Sequence, residues 1–365
     1  MKKTLLLALT ICLTSSAFAI NWQMVGARQA GMGGAGVAIA QGTDVQYYNP
    51  ALLNVDSDYD ELDVEVTAGA QGKYIPTGTT NPDRFFVKYR TKADADAGIG
   101  VRKGNLAFTV RSLGSIITRP DPSLAGKTRV DMGIVTEAAL GYGFTLLRGI
   151  SIGGNIKVME GTVSDYSKAT NQWDLGFGGM MKEVWYNKEF STTWGIDAGA
   201  SIDFSEFFQS NVIFHPTVAI VGKNLNNPKF HRGNSSTVKN SKLELGRQAR
   251  IGAAIHPLTD RLTITGDLDL TKNETIVKDI KSQQIAGGIE VMAINRHTFQ
   301  LPIRFGISKD MENSDEPLYL TAGFATITPD YNFGLSFIVG DSMEEVNGHD
   351  MPNALGVTMS FSWLF

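Results

Sequence analysis

Apolar positions alternate with small or polar ones along nearly the whole chain, and the alternation runs to its last residue. Leu355, Val357, Met359, Phe361, Trp363 and Phe365 are interleaved with Gly356, Thr358, Ser360, Ser362 and Leu364. Successive side chains of a strand point to opposite faces, so this period of two predicts one apolar ribbon backed by a small, mostly polar one. Upstream, Met132, Ile134, Ala138, Leu140, Tyr142 and Phe144 oppose Glu137, Ala139, Gly141 and Gly143. Trp194, Ile196, Ala198, Ala200, Ile202 and Phe204 alternate with Gly195, Asp197, Gly199, Ser201 and Asp203. Leu262, Ile264, Leu268 and Leu270 alternate with Thr263, Thr265, Asp267 and Asp269.

Segments of this kind number about fourteen. They start near Leu62, Arg84, Asn105, Asp131, Ile150, Thr193, Val212, Arg250, Leu262, Gln284, Leu301, Leu318, Tyr331 and Ala354. Short connections (Leu147-Arg148-Gly149, Pro257 to Arg261, Ile294 to Thr298, Thr328 to Asp330) alternate with longer polar ones (Ser112 to Val130, Gly161 to Ser191, Gly222 to Ala249, Lys309 to Pro317, Asp341 to Asn353). Short turns on one side, long loops on the other and an even strand number are the habit of transmembrane barrels. Fourteen strands place both ends of the barrel on the short-turn side. Thr91 to Gly104, after a second strand over Arg84 to Arg90, is a long connection on that same side and breaks the pattern.

Carboxylates beside glycines in mid-strand make poor core residues for a soluble sandwich, but they suit a wet or plugged lumen. Arg111, Glu137, Lys157, Asp197, Arg250, Asp267, Asp269, Glu290 and Arg304 are therefore expected to point inward. The predicted class is all-β, an antiparallel up-and-down transmembrane β-barrel over residues 61–365. After the first residues no apolar run is long enough for a transmembrane helix, and in hydrocarbon only a closed barrel then pairs every backbone group.

The chain opens Met1-Lys2-Lys3, then the apolar run Leu5 to Leu13, then Ala17-Phe18-Ala19. This is the layout of a secretory signal peptide over residues 1–19. Ile11 before Cys12 argues against a lipoprotein signal, and Cys12 is the only cysteine, so the mature chain has no disulfide and no Cys-based metal site. A net charge of −4 offers no basic footprint for nucleic acid. Together these readings predict the outer membrane of a diderm bacterium, with membrane lipid as a partner.

Residues 20–60 differ. Gly31-Met32-Gly33-Gly34-Ala35-Gly36 precedes Val37-Ala38-Ile39-Ala40 and Tyr47-Tyr48-Asn49-Pro50-Ala51. The run matches G-x-G-x-x-G, but no strand precedes it and no βαβ unit follows, so a dinucleotide site is rejected. Glycine lets backbone pack tightly against a wall, and Asn49-Pro50 marks a turn. A compact plug uses both. A flexible leader is the alternative, although such leaders seldom carry Val, Ile and paired Tyr.

Other chemistry is thin. Gly149-Ile150-Ser151-Ile152-Gly153 matches G-x-S-x-G but opens a strand rather than a strand-to-helix elbow. His215, His231, His256, His297 and His349 are dispersed, without zinc-ligand spacing. Asp267 and Asp269 share a strand face, a solvated lumen face more simply than a catalytic pair. No enzyme, cofactor or metal is expected.

Arg28 to Ala38, with Tyr48-Asn49-Pro50-Ala51, resembles the N-terminal hatch of the FadL family of outer-membrane transporters. Val221-Gly222-Lys223-Asn224-Leu225-Asn226, Arg250 to Ala254 and Leu268 to Lys272 are similar to its TraF-like branch, related to the PorV-type barrels of a secretion system. The resemblance implies a hatch folded inside a fourteen-stranded barrel, with Gly31, Gly33, Gly34, Gly36, Asn49 and Pro50 as its marks. It implies passive uptake of a hydrophobic small molecule, which diffuses inward or escapes laterally when the hatch shifts. It also implies an alternative, a non-transporting component of secretion or conjugal transfer with protein partners. Phe365 looks like the terminal aromatic read by the outer-membrane assembly machinery.

Overall fold

The computed structural model describes residues 22–55, 62–76, 89–120, 127–169, 190–231, 242–258, 261–275, 281–313, 316–346 and 349–365. The expected signal peptide, with Cys12, lies outside the described residues. Among them, fourteen antiparallel strands close into one barrel. They are β1 Leu62–Pro76, β2 Tyr89–Lys103, β3 Leu106–Pro120, β4 Lys127–Leu147, β5 Ile150–Ala169, β6 Ser191–Asp203 and β7 Thr217–Lys223. The second half comprises β8 Gln248–Ile255, β9 Leu262–Asp269, β10 Gln284–Arg296, β11 Phe299–Asp310, β12 Tyr319–Ile327, β13 Tyr331–Gly340 and β14 Ala354–Leu364. Ahead of the barrel lie the helical turns α1 (Ala27–Gly31) and α2 (Val45–Tyr48) and a 3-10 turn, Pro50–Asn54; α3 (Phe204–Phe208) follows β6.

Each strand pairs with the next, and β14 returns to β1 from Asp63↔Leu364 to Lys73↔Ala354. Past that ladder, Leu62 and Phe365 exchange main-chain hydrogen bonds of 2.9 and 3.0 Å. Closure leaves no unpaired edge, which is what makes a sheet tolerable in hydrocarbon. The outward row of β14 (Leu355, Val357, Met359, Trp363) is exposed, while Thr358 and Ser362 are buried inside.

The second strand corrects the sequence reading. It runs over Tyr89–Lys103 among the described residues, so Thr91 to Gly104, expected as a connection, is almost wholly strand and no long connection exists there. Residues 84–88 lie outside the described residues. Ala93, Ala95, Ala97, Ile99 and Val101 face out; Asp94, Asp96, Gly98, Gly100 and Arg102 face in. Alanine is so weakly hydrophobic that the alternation there does not read as an apolar ribbon. With β2 in place, Gly104-Asn105 is a tight turn with Gly104 at φ 55°, and the anomaly on the short-turn side disappears.

Two boundaries also move. β7 begins at Thr217 rather than near Val212, because Gln209, Phe214 and His215 take φ of 53, 69 and 45°, which no strand accommodates. Much of Ser112 to Val130 and part of Gly161 to Ser191 is strand, since β3, β4 and β5 run on past their apolar stretches. A strand that has left the bilayer needs no apolar outer face, so polar residues do not end it.

Residues 22–55 lie within the ring, and nearly all of them are buried. Inward glycines make room for this segment: a β-carbon on Gly153 would collide with the Pro50 carbonyl, whereas one on outward-facing Gly287 would meet nothing closer than 3.6 Å. Gly153→Val is thus expected to destabilise the folded barrel by roughly 1–3 kcal/mol through overpacking. Gly287→Val should leave the urea unfolding midpoint near that of the parent. Equal midpoints for the two variants would show that the lumen is not tightly filled.

Candidate functional site

The N-terminal segment is seated by sharp turns and by polar side chains of the wall. Gly33 (φ 72°) and Gly34 (φ 89°) turn the chain back after α1. Gly33 lies so close to β11 that a β-carbon would overlap the Ile307 main chain, and its N–H donates to Thr321 Oγ1 at 2.9 Å. Thr321 in turn donates to the Gly31 carbonyl at 3.0 Å. Gly36 sits against the Tyr48 ring, and Gly34 against Met24. Asn49 ties the segment to itself: its Nδ2 donates to the Val37 carbonyl at 3.1 Å, and its Oδ1 accepts from Ala51 N at 3.1 Å. Pro50 opens the 3-10 turn, where a missing N–H costs nothing.

The wall supplies charge at the matching places. Asp267 Oδ2 accepts from the N–H groups of Gly36 and Val37 at 2.8 and 3.0 Å. Glu290 binds Arg28 at 2.7 and 3.1 Å and Arg304 at 2.6 Å, so one carboxylate holds a plug cation and a wall cation together. Arg111 pairs with Asp44 at 2.7 Å, and Glu65 accepts from Thr43 N and Oγ1 at 2.9 and 2.7 Å. Lys157 bridges Asp197 (3.1 Å) and Glu137 (3.4 Å), while Asp269 accepts from Arg250 at 2.6 Å. All nine charged positions singled out in the sequence thus face the lumen. Asp267 and Asp269 are taken up by separate partners, and Ser151 receives a 3.3 Å hydrogen bond from Asn54.

Sequence reasoning missed Asp44, Glu65, Arg102 and Lys223. Lys223 Nζ lies 3.2 Å from the Tyr47 ring centre and 3.8 Å from that of Trp22, and the Arg250 guanidinium lies 4.2 Å from Trp22. Two wall cations therefore rest on two plug aromatics, a contact strengthened by exclusion of water. The Tyr47 hydroxyl accepts from Gln23 N and the Tyr48 hydroxyl from Val25 N, both at 3.0 Å. Burial pushes both phenols above their ordinary range, so they remain neutral hydroxyls.

The larger hollows among the described residues include two beside the N-terminal segment and one on the outer face of the wall. A cavity of about 590 Å³ opens beneath that segment toward the short-turn end, lined by Arg28, Asp44, Asp63, Glu65, Arg102 and Glu290 among others. A second, of about 480 Å³, lies across Arg28 and Gln41 and reaches Thr145, Asp203, Glu206 and His256. Both are polar. The third, about 720 Å³, is an apolar trough whose lining is mostly the outer face of the wall. Its floor is Ala70, Gly72, Ala93, Ala95 and Gly114; Ile116, Ile134, Phe337 and Leu355 are among the bulkier residues around it. Behind that floor, Gln23 Nε2 donates to the Gly114 carbonyl at 3.1 Å.

The family model described as "F plasmid transfer operon, TraF, protein" matches residues 60–269, more than half of the chain. The chain belongs to this TraF family. No curated protein matches its sequence. Among solved structures, this TraF-family barrel is similar to the Ralstonia pickettii toluene transporter TbuX (12% identity, TM-score 0.59, 94% of this chain and 99% of that one). It is similar also to the Pseudomonas putida toluene transporter TodX (11%, 0.57, 96% and 99%). A Pseudomonas aeruginosa FadL homologue gives 11%, 0.58, 96% and 99%. At such identities the likeness establishes the fold alone, a closed β-barrel of the kind those three proteins share.

Glu290 is the joint on which the plug charges can be tested. Glu290→Ala removes the carboxylate that Arg28 and Arg304 share, a cost of about 3–5 kcal/mol for a broken buried pair. Amide hydrogen exchange over residues 22–40 is expected to speed up while β1–β5 stay protected. Unchanged exchange in the segment would mean that the pair does not hold it.

Proposed function

We propose that the protein is a passive outer-membrane channel for hydrophobic small molecules, with residues 22–55 as its movable hatch. The observation that carries this reading is how the segment is held. It fills the lumen, yet its bonds to the wall are separable polar contacts: Arg28–Glu290, Asp44–Arg111, Thr43–Glu65 and the Asp267 cradle. A solvent chamber already lies beneath it. An apolar ligand gains little from that charged chamber, whereas each Å² of apolar surface removed from water contributes about 25 cal/mol. Its favourable way out is therefore sideways, past the small outward residues of β1–β3 into the apolar trough. The Gln23–Gly114 hydrogen bond lets a shift of the hatch be felt by that wall. The likeness to toluene transporters supports the same substrate class.

A second reading is a structural component of conjugal transfer or secretion, with protein partners at its loops. The TraF family model and the polar character of both chambers below the hatch favour it.

Mass spectrometry of lipophiles co-purifying with the detergent-extracted barrel separates the two. The transport reading expects a defined apolar ligand on the full chain and none on a chain lacking residues 20–54. An empty barrel that retains a protein partner instead would replace the first reading by the second. The exit route has its own test. Gly114 faces open space, with the nearest atom 3.8 Å from an added β-carbon, so Gly114→Leu fills the trough without disturbing the hatch. Uptake of an aromatic hydrocarbon by cells carrying this variant should fall several-fold with ligand still bound. Full uptake would rule out the sideways route.

A further inference from the structure

Most connections at the short-turn end are tight, such as Gly104-Asn105, Arg148-Gly149, His297-Thr298 and Thr328 to Asp330. The β6–β7 connection is not. Residues 204–216 form α3 and an irregular return, and they leave large apolar side chains uncovered: Phe208 is 59% exposed, Ile213 77% and Phe214 51%. This is an ordered structure. Asp203 Oδ1 caps α3 by accepting from Ser205 N and Glu206 N at 2.8 and 3.1 Å, and Gln209 ends it in the left-handed region. Phe204 N donates to the Pro216 carbonyl and His256 N to the Phe214 carbonyl, tying the return to the β8–β9 turn. Asp203 N donates to the Gly149 carbonyl, tying the helix to the β4–β5 turn. Phe207 and Phe208 meet edge to face at 5.1 Å, and Phe204 stacks on Phe208 at 6.2 Å.

The helix has two faces. Phe204, Phe207 and Phe208 share one, at spacings of three and four. Glu206 lies off that face and lines the polar chamber of the lumen, as His215 lines the other. The aromatic face thus adjoins the outer side of the barrel, where Leu146 and Leu147 at the end of β4 are also exposed, as is Leu258 in the β8–β9 turn. Glu206 is the sole carboxylate in residues 204–216, and no Lys or Arg occurs there. A surface turned to water ordinarily carries more charge, while rings at the edge of an apolar band suit the headgroup boundary of a bilayer.

We infer that the β6–β7 connection is a membrane foot: Phe207, Phe208, Ile213 and Phe214 enter the lipid headgroup–acyl boundary at the short-turn end of the barrel. The occupant of this surface is lipid: exposed Leu146 and Leu147 carry the lipid-facing row of β4 down to the turn to which α3 is tied, and Arg148 in that turn is long enough to reach the headgroups. The foot fixes the depth of the barrel on one side and keeps Glu206 and His215 at the mouth of the lumen.

Nitroxide labels test this on the full chain in phospholipid vesicles, in a Cys12→Ser background that removes the only native cysteine. Phe208→Cys and Ile213→Cys carry the label on the foot, and Glu206→Cys carries it toward the lumen. Collision with oxygen, which concentrates in lipid, is expected to exceed collision with a water-soluble nickel chelate at 208 and 213, and the ratio should reverse at 206. Nickel accessibility at 208 and 213 equal to that at 206 would place the patch in water and overturn the inference, favouring a periplasmic protein as its cover. Two foot positions guard against one variant that fails to fold.

Discussion

Every polar group at the depth of the hydrocarbon must find its partner inside the protein, and the rest of this structure follows from that demand. The backbone meets it by closing β14 onto β1. The side chains meet it by exchanging charge across the lumen and with the segment inside. Arg28, Glu290 and Arg304 form one knot, Arg111 and Asp44 another, and Lys157 draws Glu137 and Asp197 together. An empty lumen would leave these groups to water. A filled one sets Arg28, Thr43 and Asp44 of the segment against particular wall residues, Glu290, Glu65 and Arg111, and so defines where it sits.

That seating reconciles two features that pull in different directions. The segment is packed as densely as a core, with glycines where backbone meets backbone, as at Gly33 against Ile307. Yet much of its attachment is polar and lies beside a chamber that water can reach. Packing of this kind holds the segment in place, and on the proposed reading its polar attachment is what would come apart when it shifts. The TraF family match and the FadL-type fold are compatible with such a division between a rigid ring and a detachable interior.

Much of the architecture was legible in the residues. β14 could be read directly because its outward row is Leu, Val, Met, Phe and Trp. The inward direction of Asp267 or Glu290 followed from parity alone, and the strand number from counting alternating segments and the short and long connections between them. β2 was not legible at its true position, because its outward row carries three successive alanines (Ala93, Ala95 and Ala97) and its inward aspartates then look like a polar loop. Losing that strand also hid Arg102, which reaches the Leu53 carbonyl at 3.0 Å. The pairings resisted sequence reasoning for a different reason. Nothing local connects Arg28 with Glu290, and Trp22 and Tyr47 carry no mark of the cations that rest on them until the ring brings Lys223 and Arg250 round. The apolar trough was equally hidden, since it is a deficit of side-chain volume spread over several strands.

The segment of residues 22–55 precedes the strands but touches both halves of the ring. Its hydrogen bonds to β5 and β6, through Asn155 and Ala200, span 109 and 151 residues; those to β10, β12 and β13, through Glu290, Thr321 and Ser336, span 262 to 309. Contacts of long sequence separation form late, because the intervening chain must be ordered first. The N-terminal segment can thus dock on the early strands as a former and receive the late ones as they arrive. The barrel is then cast around its own stopper, and no finished ring has to be threaded.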